Sequence, residues 1–179
     1  MQKPKFVLID TDIVLRTHIL GIWTELKKAC RICVPATVAE EAKYFRGENR
    51  IGGIDLRAEA EADEIEVLEA TITELHAVTR DFSEAFVEAL HAGELEGLAL
   101  LCSGRYEELV FCTGDVCAMQ AAGMLGVDRL LISLEALVTR LGLKAKLATP
   151  LSKPLHQSTL EHHALTGKQR RLTREYFKQ

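Results

Sequence analysis

Short apolar runs, each followed by a stretch with helical periodicity, constrain the fold of this chain more than any other feature. Apolar runs of this length are typical of strands that are covered on both faces. Because strands that alternate with helices predict a central parallel sheet between two helical layers, we expect a three-layer α/β/α fold. The expected strands are residues 6–9, 31–34, 65–68, 109–112 and 130–132.

The segments between these strands carry apolar residues at helical spacing. Thr37 and Glu40 have the spacing of a capping box at the start of the second expected helix. Residues 47–53 are interpreted as a glycine-rich loop. The expected helices are residues 13–29, 37–45, 71–80, 82–91, 94–102, 116–125 and 134–141, with a helix or loop at 57–64.

Length and charge divide the chain into a body and a tail. A chain of 179 residues suits one α/β domain with a short appendage. We place the domain at residues 1–147 and a linker with a basic C-terminal helical tail at residues 148–179. Residues 1–150 hold 16 Lys and Arg against 24 Asp and Glu, whereas the rest holds six against two. An acidic body binds nucleic acid poorly, but its carboxylates can hold metal ions that bind phosphates.

Composition limits the class of protein. Apolar residues make up 47% of the chain, which is enough for one packed core and excludes intrinsic disorder. No apolar stretch approaches the ~20 residues that span a bilayer, and the first apolar run is too short for a signal peptide. The five cysteines are odd in number and have apolar neighbours, as reduced thiols do. We therefore expect a cytoplasmic protein with no membrane partner.

Aspartates follow two of the expected strands. Asp10 and Asp12 follow the first strand, and Thr113-Gly114-Asp115 follows the fourth. Each aspartate alone is also an ordinary helix N-cap. The carboxyl ends of parallel strands, however, meet at one edge of the sheet, where ligands bind. Carboxylates crowded together there stay ionised only around a cation, and Mg²⁺ or Mn²⁺ prefers such oxygen ligands.

Two expected helices add glutamates near the same edge. Glu41 shares a helical stripe with Val38, so it should face inward more than its neighbour Glu40. Glu94 lies in the first turn of a later helix, with Glu96 two residues further on. A first-turn glutamate also stabilises a helix through its macrodipole, so this position alone does not identify a ligand.

Four of these segments, taken in order, resemble the motifs of the PIN-domain nucleases. They are residues 7–15, 34–41, 93–99 and 113–115, and the resemblance extends over residues 6–133. It implies a PIN-like three-layer fold and a nuclease whose carboxylate cluster binds Mg²⁺ or Mn²⁺ and hydrolyses RNA to products with a 5′-phosphate.

The resemblance also implies partners and site residues. Single-stranded RNA is the expected substrate, and a second copy of the chain or a protein inhibitor of the toxin–antitoxin kind are further candidate partners. The implied catalytic and metal-binding carboxylates are Asp10, Glu41, Glu94 and Asp115, with Glu96 as a further metal ligand, Thr11, Asp12 and Thr113 as orienting residues, and Glu40 as the alternative to Glu41.

The chain departs from the family pattern at several positions. Asp12 stands where the family usually has Asn, and Gly97 stands where it usually has Ala. Residues 133–135 lack the glycine-threonine turn that many toxin members have. These departures bear on substrate and activity more than on fold.

Two other functions remain as alternatives. Residues 10–14 also fit the nucleophile motif of the haloacid-dehalogenase-like phosphatases, whose first aspartate is phosphorylated. That family has a second aspartate four or five residues after the position of Asp115, where this chain has Met119 and Gln120. The third hypothesis is a catalytically inactive PIN-like module that serves in binding or scaffolding.

The tail permits two roles. Its cations, Arg170 among them, can guide RNA to the acidic body. Its apolar residues, which include Leu160 and Leu165, are spaced for one face of a helix that packs on the body or on a second subunit. We favour packing.

Overall fold

The computed structural model describes residues 6–48, 50–80, 82–143 and 157–176, with side chains up to residue 171 in the last segment. Its central sheet has five parallel strands, and a separate two-stranded antiparallel hairpin lies outside that sheet. The strands are β1 (Phe6–Ile9), β2 (Arg31–Pro35), β3 (Tyr44–Arg46), β4 (Ile51–Gly53), β5 (Glu66–Leu68), β6 (Leu109–Cys112) and β7 (Leu131–Ile132).

Helices cover both faces of the sheet, so the expected three-layer α/β/α fold is confirmed. Side chains alternate along β1: Val7 and Ile9 enter one apolar core, and Leu8 enters the other. The helices are α1 (Thr11–Leu20), α2 (Trp23–Ala29), α3 (Ala36–Glu41), α4 (Leu56–Glu61), α5 (Ile72–Thr79), α6 (Glu84–Glu88), α7 (Ala92–Cys102), α8 (Val116–Leu125), α9 (Leu134–Arg140) and α10 (Gln157–Tyr176).

The order of the strands determines where a crevice forms at the edge of the sheet. From edge to edge the order is β5-β2-β1-β6-β7, so β1 lies at the centre between β2 and β6. The chain leaves β1 toward β2 on one side, and it leaves β6 toward β7 on the other. Connections that diverge in this way leave a crevice at the carboxyl ends of the two strands. Asp10 and Asp115 follow these two strand ends.

The single helix expected over residues 13–29 is wrong. The structure has two helices there, because Gly21 adopts a left-handed conformation with φ of 70° and ends α1. Its backbone amide donates to the carbonyls of Thr17 and His18, and α2 then begins at Trp23. The side chain of Trp23 is buried in the core.

The helix expected over residues 37–45 is also wrong in its length and its cap. It runs from Ala36 to Glu41 as α3, with Pro35 at its N-cap. The chain then forms β3, which pairs with β4 in the segment expected to be a glycine-rich loop. The expected capping box is absent because the Thr37 amide and hydroxyl both donate to the distant carboxylate of Glu96.

Helix α10 is a packed part of the molecule. Leu160 and Ala164 are buried, and the helix lies along α8. A Cβ at Gly123 would lie 2.0 Å from the Ala164 carbonyl oxygen, and one at Gly167 would lie 2.0 Å from the Gln120 carbonyl oxygen. The two helices therefore touch backbone to backbone.

The linker that precedes the C-terminal helix is expected over residues 148–158. Residues 148–156 lie outside the described residues, whereas residues 157 and 158 belong to α10, so this end of the expected linker is wrong. Within the described part of the chain, no helix is both long and apolar enough to cross a membrane.

Candidate active site

Asp10 lies at the centre of the carboxyl edge and is held by backbone amides from both sides of the crevice. As the N-cap of α1, its Oδ1 accepts a hydrogen bond from Ile13 N at 2.8 Å. Its Oδ2 accepts one from Gly114 N at 3.2 Å. The side chain is fully buried. Asp10 thus links the start of α1 to the segment that follows β6.

The same carboxylate is difficult to ionise. Burial raises the pKa of Asp10 from 3.8 to about 7, although hydrogen bonds from Thr113 and Ile13 oppose the rise. The charges of Glu94 and Asp12 raise it further. A cation at this edge would have the opposite effect, because it stabilises the ionised form.

Thr113 and Asp115 form a turn that leads from β6 into α8. The buried Thr113 hydroxyl donates to Asp10 and accepts a hydrogen bond from Asp115 N at 3.0 Å. Asp115 caps α8 by accepting from Ala118 N at 2.7 Å with Oδ1. Its side chain is half-buried, so it is both an N-cap and an acid at the edge of the crevice.

Glu94 carries an unsatisfied oxygen. The residue is only 6% exposed, and its buried Oε2 accepts no hydrogen bond. His91 Nδ1 lies 3.5 Å from Oε2, which is within range of an ion pair if the imidazole is protonated. Burial raises the pKa of Glu94, and the charges of Asp115 and Glu41 add to the rise. Buried polar atoms without a partner are uncommon and call for an explanation, of which an absent ion is one.

The neighbouring glutamates of α3 have different surroundings. Glu41 Oε2 accepts a hydrogen bond from the Thr11 hydroxyl at 3.2 Å, and its charge acts on Glu94. Glu40 turns away to Arg57, at 2.9 Å, and to Lys43, at 3.5 Å. Both glutamates are exposed, but Glu41 is the one placed beside the crevice.

Two glycines of α7 permit this arrangement. A Cβ at Gly93 would lie 2.8 Å from Val38 Cγ2 and 3.8 Å from Glu41 Oε2. A Cβ at Gly97 would lie 2.7 Å from Phe111 Cζ. The absence of side chains at both positions therefore lets α7 approach α3 and β6 closely. The departure from alanine at Gly97 has a packing reason here.

Glu96 has a set of partners that sequence reasoning missed. Its Oε2 accepts from the Thr37 amide at 2.8 Å and from the Thr37 hydroxyl, and its Oε1 accepts from Ala70 N at 3.1 Å. The side chain is 7% exposed. It fastens α7 to the start of α3 and to the segment after β5. The spacing of Thr37 and Glu40 had suggested a local cap instead.

Asp12 lies outside the crevice. Its side chain is exposed on α1 and pairs with Arg16, with Oδ1 and Nε 3.5 Å apart. It acts on Asp10 only through its charge, which raises the pKa of that group.

Electrostatic effects link these acids, which come from four separate elements: the charge of Glu94 raises the pKa of Asp10, and the charges of Asp115 and Glu41 raise the pKa of Glu94. Over residues 6–48, 50–80, 82–143 and 157–171, no three His, Cys, Asp or Glu side chains lie close enough, as placed, to hold a metal ion. The donors are carboxylate oxygens, which suit a hard divalent ion, and the unpartnered Glu94 Oε2 offers a free ligand atom. These donors are of the chemical kind that Mg²⁺ or Mn²⁺ prefers.

A cleft of about 500 Å³ lies at the opposite edge of the sheet, where β2 begins. The charged residues that line it include Lys27 and Arg31, which pair with carboxylates of Glu59, Glu64, Asp63 and Glu66. Its size alone does not identify it as the functional site, because these charges already neutralise one another. Comparisons with protein-family models, with curated proteins and with solved structures found no match to this chain.

Proposed function

We propose that this chain is a PIN-like ribonuclease that depends on a divalent metal ion. The observation that carries the proposal is the buried Glu94 carboxylate, whose Oε2 accepts no hydrogen bond and which faces the charges of Asp115 and Glu41. A buried carboxylate that lies among like charges and has an oxygen with no hydrogen bond is unfavourable unless a cation compensates it. The position of these acids at the crevice between β1 and β6 also supports a ligand site.

The residues of the chain would act by binding and orienting. Asp10, Glu41, Glu94 and Asp115 would hold the ion, with Thr11 and Thr113 fixing Glu41 and Asp10 through hydrogen bonds. A bound Mg²⁺ or Mn²⁺ polarises a phosphate, lowers the pKa of a bound water and offsets charge on the leaving oxygen. Glu96 serves this site by holding α7 in place.

The reaction would be hydrolysis of a phosphodiester in single-stranded RNA. Water adds to phosphorus and the bond to the 3′-oxygen breaks, which leaves a 5′-phosphate and a 3′-hydroxyl. Asp10 is a poor nucleophile for this step, because it is fully buried and both of its oxygens accept backbone hydrogen bonds. That observation favours the nuclease over a phosphatase that forms an aspartyl-phosphate.

The proposal places the protein in the cytoplasm. All five cysteines are free thiols, which suits a reducing compartment. A second copy of the chain and a protein inhibitor are the further partners of the proposed ribonuclease. Measurement of the mass in solution tests whether the chain forms a dimer.

The proposal is tested by incubating single-stranded RNA with the protein in Mg²⁺, in Mn²⁺ or in EDTA. We expect cleavage with either metal, no cleavage in EDTA, and products with 5′-phosphates. Asp10→Asn and Glu94→Gln should abolish cleavage, while Glu40→Gln, which alters an exposed glutamate paired with Arg57, serves as the control. Cleavage that persists in EDTA or in Asp10→Asn would contradict the proposal. Calorimetric binding of Mn²⁺ without cleavage would indicate the inactive binding module instead.

A further inference from the structure

The basic C-terminal helix reaches the candidate active site in a fixed register. Gly123 meets Ala164, and Gln120 meets Gly167, so α10 runs antiparallel to α8. One helical turn beyond the second contact, Arg170 of α10 comes beside the first turn of α8. Its Nη1 donates to Gln120 Oε1 at 2.6 Å. The first turn of α8 is the one that Asp115 caps.

Helix α8 places Arg170 near the acids of the crevice. Gln120, which holds the Arg170 guanidinium, lies on the helix that begins directly after its N-cap Asp115. Gln120 is five residues from Asp115, so the Arg170 guanidinium is held between one and two helical turns from the Asp115 cap.

The charge of Arg170 is not neutralised by the acceptor that holds it. Gln120 is a neutral amide, and the Arg170 side chain is exposed. Lys168, two residues earlier on the same helix, differs: its Nζ lies 2.6 Å from Asp128 Oδ2. Arg170 is thus a positioned cation at the edge of an acidic site, with donors left over for an anion, because a guanidinium has five N–H groups.

We propose that Arg170 binds a phosphate of the RNA strand next to the one that is cleaved, and so positions the substrate. This inference rests on the proposed ribonuclease function and adds a residue outside the carboxylate cluster. An acidic cluster repels a polyanion, so a fixed cation beside it lowers the free energy of the bound strand where repulsion is greatest. The planar guanidinium suits phosphate oxygens, which it can bind with two parallel hydrogen bonds.

The test measures binding separately from cleavage. Fluorescence anisotropy of a labelled single-stranded RNA in EDTA reports affinity at two salt concentrations for the full chain. We expect Arg170→Gln to weaken binding roughly fivefold to tenfold and to reduce the slope of log affinity against log salt by about 0.7, the value for one phosphate contact on a single strand. Arg170→Lys should restore most of the salt slope, because it keeps the charge.

Lys168→Gln is the matched control, since it removes one positive charge from the same helix but from a residue paired with Asp128. It should leave affinity within about twofold and the salt slope unchanged. Equal losses in the two variants, or no loss in Arg170→Gln at an unchanged melting temperature, would overturn the inference. So would a wild-type chain that binds no RNA.

Kinetics with Mg²⁺ separate this inference from the proposed function. Arg170→Gln should raise KM and leave kcat within about twofold, because it removes binding that is made equally in ground and transition states. Metal-dependent cleavage whose KM is insensitive to Arg170→Gln would refute the positioning role and leave the nuclease standing. Arg170-dependent RNA binding with no cleavage in any metal would refute the nuclease and leave the phosphate contact standing.

Discussion

The Asp10 carboxylate at the end of β1 accepts a hydrogen bond from the Gly114 backbone amide beyond the end of β6, with Oδ2 3.2 Å from the nitrogen. The two residues are 104 positions apart in the chain. Their contact joins the segments that follow β1 and β6, which lie on the two sides of the crevice. It also buries a carboxylate where further acids gather, and this couples the stability of the fold to the charge of the site.

The first prediction concerns that coupling. The pKa of Asp10 is about 7 in the folded chain and 3.8 in the unfolded reference, so its contribution to stability is complete at low pH and is lost as pH rises through 7. Without metal, the loss between about pH 5 and about pH 8 should be roughly 2–3 kcal/mol. Urea unfolding in EDTA measures it, and Asp10→Asn should lack this component. A difference between the two proteins that does not vary with pH would show that Asp10 is ionised throughout.

The second prediction compares adjacent glutamates. Glu41 lies beside Thr11 and Glu94, whereas Glu40 pairs with Arg57 and Lys43 on the exposed side. We expect Glu41→Gln to reduce kcat by about a hundredfold or more, as loss of one charged group at a reacting centre does, and Glu40→Gln to change it less than about twofold. Initial rates of RNA cleavage in Mg²⁺ give the ranking. The reverse order would identify Glu40 as the ligand.

The third prediction uses two isosteric changes on α7 with opposite signs. Glu96→Gln replaces an oxygen that accepts from Thr37 or Ala70 by an NH₂ group, so it should destabilise the fold by about 1–3 kcal/mol in EDTA. Glu94→Gln removes a buried charge that lies among like charges and whose Oε2 accepts no hydrogen bond, so it should raise the melting temperature in EDTA. Thermal unfolding followed by circular dichroism measures both. If Glu96→Gln leaves stability unchanged but weakens Mn²⁺ binding, Glu96 is a ligand.

The fourth prediction tests the packing of α10. Gly123→Ala would place a Cβ 2.0 Å from the Ala164 carbonyl oxygen, so the helices must separate, and we expect a loss of about 2–3 kcal/mol. Gly53→Ala is the control, because nothing lies within 4 Å of its added Cβ. Unfolding by urea gives both values. A neutral Gly123→Ala would mean that α10 is only loosely attached to α8.

The fifth prediction concerns the phosphatase alternative. Asp10 should form no aspartyl-phosphate, because its oxygens face the amides of Ile13 and Gly114 rather than solvent. Incubation with a small phosphomonoester should release no phosphate above the background of Asp10→Asn. Mass spectrometry should detect no phosphate or beryllofluoride adduct on the chain. An adduct that maps to Asp10 would replace the nuclease proposal by the phosphatase.

Local sequence was sufficient to locate the strands of the central sheet. The apolar runs predicted β1 and β6 at their observed bounds, and helical spacing predicted the bounds of α8 as well. The physical reason is that a strand covered on both faces needs an unbroken run of apolar residues. Such a run occupies four or five consecutive positions, so it can be recognised from local sequence alone. The aspartates after β1 and β6 could also be predicted as helix N-caps, because a cap depends on the residues next to it in the chain.

Only the tertiary structure decided which partners the polar side chains have. The local pattern predicted that Thr37 and Glu40 form a capping box. Thr37 donates instead to Glu96, which lies 59 residues away along the chain. The different surroundings of Glu40 and Glu41 depend on Arg57 and Thr11, which belong to other elements. Such choices follow from the order of strands in the sheet, which brings distant segments to one edge. A carboxylate's hydrogen bonds and pKa depend on that assembled surrounding, and no local pattern along the chain contains it.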